Sequence, residues 1–126
     1  MGQILRKWKV HIGIIGTGNV GSATAFSILK SCLATELSLV DIKPGLAKAV
    51  AEELKHANSS IKCDVAINHF ERDEDLSNAD IIIISAGYPR QPGIRMSRRE
   101  LARKNAEIIK YIAEVVPSRN PGAKYI

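Results

Sequence analysis

Short apolar runs alternate with longer segments of helical periodicity along the chain. The clearest helical pattern is formed by Ala47, Val50, Ala51 and Leu54, which recur at the spacing of one helix face. Pro44, just before this stripe, suits the first position of a helix. The apolar runs predict strands at 9–15, 36–41, 63–68 and 81–85, and the periodic segments predict helices at 19–33, after Pro44 and at 98–116.

This alternation predicts an α/β fold with a doubly wound parallel sheet. Four consecutive isoleucines at 81–84 favour a strand covered on both faces, as in parallel sheets. The final residues, NPGAKYI, predict a turn and the opening of a fifth strand, so we expect a sheet truncated at that strand. We expect a short extension over residues 1–8, packed down by Trp8, and one incomplete domain over 9–126.

A glycine-rich segment, IGIIGTGNVGSA at 12–23, joins the first predicted strand to the first predicted helix. Its GxGxxG spacing gives the three glycines separate roles, because Gly16 turns sharply off the strand, Gly18 admits a pyrophosphate, and Gly21 lets the helix pack on the sheet. The helix dipole and free N–H groups of the first turn would hold the anion. We therefore predict a dinucleotide site formed by Gly16, Thr17, Gly18, Asn19, Val20 and Gly21.

Asp41 ends the second predicted strand, 20 residues beyond Gly21, where a ribose-binding acid belongs in such folds. Its carboxylate would accept hydrogen bonds from the adenine ribose and repel a 2′-phosphate. This favours NAD over NADP, although Lys43 lies near enough to weaken the preference. The alternative is a glycine turn that happens to precede a surface aspartate.

A second constellation, SAGYPRQPGIRMSRREL at 85–101, follows the isoleucine strand. Ser97 and Glu100 form a capping box, so a helix should begin near Arg98. Arg98 and Arg99 would then open a helix, where cations are disfavoured, and a bound carboxylate would relieve that conflict. A solvated basic loop is the alternative interpretation. Proline and glycine at 89, 92 and 93 suggest hinges of a closing loop.

The segments GTGNVGSA, LVDI, SAGxPRxPG and SRxxLxxxN together resemble the amino-terminal half of the lactate and malate dehydrogenase family, especially its malate dehydrogenase branch, over residues 10–126. The resemblance implies that Gly16, Gly18, Gly21 and Asp41 hold NAD and that Asn105 contacts the cofactor. It also implies that the chain is the NAD-binding Rossmann domain of a longer enzyme.

The same resemblance gives two arginines a role in substrate binding. Arg90 matches the arginine that recognises the distal carboxylate of malate or oxaloacetate, a position where lactate dehydrogenases commonly carry glutamine. Arg98 matches the arginine that polarises the substrate carbonyl. Ile94 and Arg95 form a two-residue insertion between these motifs, so Arg95 could compete with Arg98 for that role.

The resemblance implies hydride transfer between (S)-malate and NAD, with a small dicarboxylic 2-hydroxy or 2-oxo acid as the partner. The family's catalytic histidine and aspartate lie beyond Ile126, and we expect His11 in the first strand, His56 on the second helix and His69 after the third strand to be structural or solvated. We therefore expect the isolated chain to be inactive, and the complete enzyme to be a homo-oligomer.

Composition adds few constraints. The chain has 126 residues, is 45% hydrophobic and 25% charged, and carries a net charge of +5 spread without a nucleic-acid recognition motif. We expect no membrane partner, no metal site and a cytoplasmic location. Cys32 and Cys63 lie 31 positions apart without a metal-binding spacing, so we expect reduced thiols.

Three other functions share some of these features. A lactate dehydrogenase with unusual loop residues would have the same fold and cofactor site. A non-catalytic NAD-sensing module would share the glycine loop and Asp41 but gives no reason for the loop arginines. An NAD-dependent sugar hydrolase would need metal-ligand residues that the sequence does not show.

Overall fold

A computed structural model describes residues 8–126, so most of the predicted extension lies outside the described residues. The strands are β1 His11–Ile15, β2 Glu36–Val40, β3 Ala66–Phe70, β4 Ile81–Ile84 and β5 Lys124–Tyr125, and the α-helices are α1 Asn19–Lys30, α2 Leu46–Ile61 and α3 Arg98–Val115. Two single 3₁₀ turns, Asp73–Asp75 and Pro117–Arg119, complete the regular structure.

All strand pairs are parallel, and the order across the sheet is β3-β2-β1-β4-β5. The predicted doubly wound Rossmann sheet is therefore confirmed. Chain connections run outward from β1 in both directions, so the point where the order reverses lies between β1 and β4. Ligands of such sheets bind in the crevice at the carboxyl ends of those two strands.

Side chains alternate between two apolar layers because neighbouring residues of a strand point to opposite faces. Ile12 and Ile14 of β1 pack with α1 and α2, whereas Ile15 packs with α3. The helical stripe Ala47, Val50, Ala51 and Leu54 is buried in the first layer, as the sequence predicts. In β4, Ile82 is fully buried and its three neighbours are partly exposed, so the strand is less covered than its sequence suggests.

Several predicted boundaries are wrong for local reasons. Pro44 lies in a turn rather than at the first helical position, because Gly45 has a φ of 78° and α2 begins only at Leu46. The third strand begins at 66 rather than 63, because the Asn58 side chain holds both backbone groups of Cys63 in the preceding connection. Trp8 is 78% exposed and is not packed against the domain, and the rest of the predicted extension lies outside the described residues.

The two cysteines form a disulfide, so the prediction of reduced thiols is wrong. Cys32 follows α1 and Cys63 follows α2, and the parallel packing of both helices on the sheet brings these ends together. Their Cα atoms are 5.8 Å apart, within the usual range for disulfides. Spacing in sequence could not show this proximity.

Candidate functional site

The loop between β1 and α1 is held against the neighbouring strand by backbone geometry that only glycine permits. Gly16 has a φ of 96°, and a Cβ there would lie 2.5 Å from the backbone nitrogen of Ala86. A Cβ on Gly21 would overlap the Gly16 carbonyl oxygen. The Ser85 hydroxyl donates a hydrogen bond of 2.8 Å to that same oxygen. The sharp turn and the close helix packing predicted for these two glycines are both present.

Gly18, in contrast, faces open space, because a Cβ placed on it would meet no atom within 4 Å. It is the N-cap residue of α1, and no side chain caps this helix end. The first turn also contains no acidic residue. Asn19 and Val20 are exposed at this end. An anion such as a pyrophosphate therefore finds N–H donors, a favourable dipole and room to approach.

Asp41 follows β2 and lies beside the glycine loop. Its Oδ2 accepts hydrogen bonds from the backbone N–H of Thr17 at 2.8 Å and from the Thr17 hydroxyl at 3.2 Å, and its Oδ1 accepts one from the N–H of Lys43 at 2.9 Å. A carboxylate offers about four acceptor positions. Oδ1 therefore keeps capacity to accept a hydrogen bond from a sugar hydroxyl.

A buried acid lies close to Asp41. Asp73, in the 3₁₀ turn after β3, is 5% exposed. Burial raises the pKa of its carboxyl, and the negative charges of Glu74 and then Asp41 raise it further. Further negative charge beside Asp41 is therefore unfavourable, so a neutral ribose hydroxyl suits this position better than a phosphate group does.

The loop after β4 forms a small cavity at the same edge of the sheet. Its volume is about 230 Å³, and it is lined by Tyr88, Arg90, Gln91, Ile94, Arg95 and Met96. Arg98 is the first residue of α3 and is not among the lining residues. The predicted capping box is confirmed, since Ser97 and Glu100 exchange both of its hydrogen bonds.

Asn105 connects α3 to the start of this loop. Its side-chain oxygen accepts a hydrogen bond of 2.8 Å from the backbone N–H of Tyr88. Lys104, the preceding residue, places its ammonium group 4.5 Å from the centre of the Tyr88 ring. These two contacts fix where the loop leaves the sheet. Sequence reasoning missed Tyr88 and Ser85 as supports, because neither contact follows from local spacing.

The three histidines lie in β1, on α2 and in β3. His11 is buried: its Nδ1 lies 2.9 Å from the Asn78 carbonyl oxygen, and its Nε2 lies 2.7 Å from the Ser38 hydroxyl. Because a carbonyl oxygen can only accept, Nδ1 donates the hydrogen bond to Asn78. His56 is exposed on α2. His69 lies within β3, not after it as the predicted strand boundary implied.

Neither a membrane-spanning helix nor a metal-binding cluster occurs in the described part of the chain. Within residues 8–126, no helix is long and apolar enough to cross a membrane. No group of three or more histidine, cysteine, aspartate or glutamate side chains in that range is arranged to hold a metal ion.

A parallel sheet of this order, with a glycine turn at its switch point and an acid after β2, defines a dinucleotide-binding α/β domain. The chain belongs to the lactate/malate dehydrogenase family: the model of that family's NAD binding domain matches residues 10–126. It is therefore an NAD-binding domain of oxidoreductase type, as the sequence motifs indicate. The residues present fit the cofactor at two places. Gly18, at the uncapped N-terminus of α1, leaves room for a pyrophosphate, and Asp41 has acceptor capacity for a ribose hydroxyl.

Relatives from both branches of the family are similar to this chain. A malate dehydrogenase of Sulfolobus acidocaldarius is 37% identical over 117 residues, covering 93% of this chain and 38% of the relative. An L-lactate dehydrogenase of Mesomycoplasma hyopneumoniae is 36% identical over 104 residues, covering 82% of this chain and 32% of the relative. The chain thus spans well under half the length of these relatives.

Solved structures agree with the fold. The malate dehydrogenase of Archaeoglobus fulgidus in complex with NADH superposes with a TM-score of 0.84 at 38% identity, covering 92% of this chain and 39% of that one. The lactate dehydrogenase of Cryptosporidium parvum, complexed with lactic acid and the cofactor, gives a TM-score of 0.82 at 29% identity and covers 94% of this chain and 37% of that one.

Proposed function

We propose that this chain is the NAD-binding portion of a malate dehydrogenase. The observation that carries the proposal is Arg90, which lines a cavity of about 230 Å³ in the loop after β4. That loop begins at Ser85, whose side chain contacts the glycine turn. A cation is therefore placed in a small recess at the edge of the sheet where the cofactor belongs.

The charge of Arg90 favours a dicarboxylic acid. A second carboxylate on the substrate would pair with the guanidinium through two parallel hydrogen bonds. The methyl group of lactate would leave the cation unpaired as the loop closes, and an unpaired buried charge is costly. The substrate class is therefore a small 2-hydroxy or 2-oxo dicarboxylic acid, with malate and oxaloacetate as the natural pair.

The residues of this chain would bind and orient rather than carry out the proton transfer. When bound, NAD supplies the acceptor for the hydride. Its pyrophosphate would be bound by the loop from Gly16 to Gly21, which includes the N-terminus of α1. Its adenine ribose would be bound by Asp41. Asn105 would hold the loop near the cofactor through its contact with Tyr88. Arg98 would polarise the substrate carbonyl once the loop closes.

The chain alone should not turn over malate. Both ring nitrogens of His11 are engaged in hydrogen bonds inside the fold and the residue is buried, so its ring cannot reach a substrate as a general acid or base. A cytoplasmic location and a homo-oligomeric complete enzyme stay predictions.

Binding measurements on the 126-residue chain test the proposal. NADH fluorescence should show saturable binding. NMR titration with (S)-malate in the presence of NAD should shift backbone signals of the 88–96 loop more than titration with (S)-lactate does. Arg90→Gln should remove the preference for malate, whereas Arg103→Gln, an exposed arginine outside the cavity lining, should keep it. Equal shifts with both acids, or malate oxidation by the purified chain, would contradict the proposal.

A lactate dehydrogenase is the second candidate, because the Mesomycoplasma enzyme is similar over 82% of this chain. It predicts that (S)-lactate perturbs the loop at least as strongly as (S)-malate and that Arg90→Gln changes little. The same titrations therefore separate the two enzymes.

A further inference from the structure

The cavity of the 88–96 loop is lined by two arginines rather than one. Arg90 and Arg95 stand on either side of the Pro92-Gly93 turn, and both face the same recess of about 230 Å³. Arg98, which the family motif assigns to the substrate, is not part of that lining. The insertion of Ile94 and Arg95 thus places a guanidinium where the motif alone does not predict one.

Neither of these guanidiniums has an acidic partner among residues 8–126, where Lys55 pairs with Glu52 and Arg72 pairs with Glu74. The nearest acid along the chain, Glu100, accepts a hydrogen bond of 3.2 Å from the N–H of Ser97 in the capping box. Both arginine side chains are exposed, so the repulsion between their like charges across the cavity is screened by solvent. An anion bound between them would reverse the sign of that interaction.

The rest of the lining limits the kind of anion. Tyr88, Ile94 and Met96 give the cavity apolar surface, and Gln91 adds an uncharged hydrogen-bonding group. Drug-sized ligands occupy pockets of roughly 300–1,000 Å³, so this volume suits a smaller molecule. A planar carboxylate can accept a pair of hydrogen bonds from each guanidinium fork.

We propose that Arg95 is a specificity-determining residue that binds the distal carboxylate of the substrate together with Arg90. The loop is then a receptor with two guanidiniums, and it selects small dicarboxylic acids over monocarboxylic acids more strongly than Arg90 alone would. This inference rests on the proposed function for the identity of the substrate class, and it adds a binding residue that the family motifs do not include.

Calorimetric titration of the 126-residue chain with malonate, in the presence of saturating NADH, tests the role of Arg95. Arg95→Gln should weaken malonate binding about tenfold, equivalent to about 1.4 kcal/mol. Arg95→Lys should give an intermediate loss, because it keeps the charge and removes the fork. The matched control Arg103→Gln removes one exposed charge from the neighbouring helix and should leave the affinity unchanged.

The possible outcomes separate this inference from the proposed function. If Arg90→Gln weakens malonate binding and Arg95→Gln behaves like Arg103→Gln, the role of Arg95 is overturned and the proposed function stands. If neither Arg90→Gln nor Arg95→Gln changes the affinity, the proposed function is overturned as well. Inorganic phosphate or acetate that binds as tightly as malonate would overturn the selection for dicarboxylic acids.

Discussion

Two glycines of the same loop should respond in opposite ways to the same added methyl group. Gly18→Ala places a Cβ in open space, so the fold should tolerate it. Gly21→Ala places a Cβ over the Gly16 carbonyl oxygen and 2.8 Å from the Gly16 carbonyl carbon, where ordinary contacts begin at 3.4 Å. Gly18→Ala therefore tests whether the cofactor occupies the space beside Gly18, and Gly21→Ala tests how closely α1 packs on the glycine turn.

The magnitude for Gly21→Ala follows from two opposing effects. Alanine is favoured over glycine in a helix by about 1 kcal/mol. Overpacking a tight contact costs about 1–3 kcal/mol, and the upper end or more applies here because the obstacle is backbone rather than a mobile side chain. The steric cost wins, and we expect a net loss of about 2 kcal/mol. For a domain of 126 residues this corresponds to a fall in Tm of about 8 °C.

Differential scanning calorimetry and NADH titration measure both effects. Gly18→Ala should change the unfolding free energy by less than about 1 kcal/mol, the scale of a single N-cap change, yet it should weaken NADH binding about tenfold or more, because the methyl group occupies the ligand's path. Gly21→Ala should lower Tm clearly. Equal stability of the two variants, or undiminished NADH affinity in Gly18→Ala, would refute this reasoning.

Three further predictions concern stability. Reducing the Cys32–Cys63 disulfide should lower Tm by about 14 °C, because the chain-entropy model gives about 3.7 kcal/mol of stability for a cross-link that spans 31 positions. Calorimetry with and without reductant measures this fall. The Tm of a Cys63→Ser variant should not change when reductant is added. Asp73→Asn should stabilise the fold at neutral pH, because the raised pKa of Asp73 means that its ionisation opposes folding. Denaturant titrations should show this gain in unfolding free energy shrinking as the pH falls towards 3.8, the ordinary pKa of the group. A gain that does not depend on pH would count against this explanation. Asn120→Ala should cost about 3 kcal/mol in urea unfolding, because the buried amide holds Ala79 N–H and two backbone carbonyls; a loss below about 1 kcal/mol would show that water replaces it.

Local signals account for what could be predicted. The glycine spacing, the acid after the second strand and the capping box at Ser97 each depend on residues close in sequence, and the structure contains all three features. The alternation of strands and helices predicts a doubly wound parallel sheet, and the structure supplies the strand order. These signals are sufficient to predict the fold and the edge of the sheet that carries the site.

The remaining features depend on contacts between distant segments. The disulfide requires the ends of two helices to meet. Asn120 is almost fully buried and ties the connection before β4 to the end of α3, although its neighbours Pro121 and Gly122 indicate only a turn. The start of β3 is decided by hydrogen bonds from the Asn58 side chain rather than by the apolar run itself. No pattern of spacing encodes these interactions, because each depends on tertiary packing.

One titration tests the roles of the site residues most directly. It compares NADH binding to the 126-residue chain with NADH binding to its Asp41→Asn variant. The substitution keeps the size of the side chain and its position beside Thr17 but removes the charge that would bind the ribose. Charged hydrogen bonds contribute about 1.5–3 kcal/mol, so the dissociation constant should rise about tenfold or more. An unchanged affinity for NADH in Asp41→Asn would contradict a ribose-binding role for this carboxylate and, with it, the cofactor site.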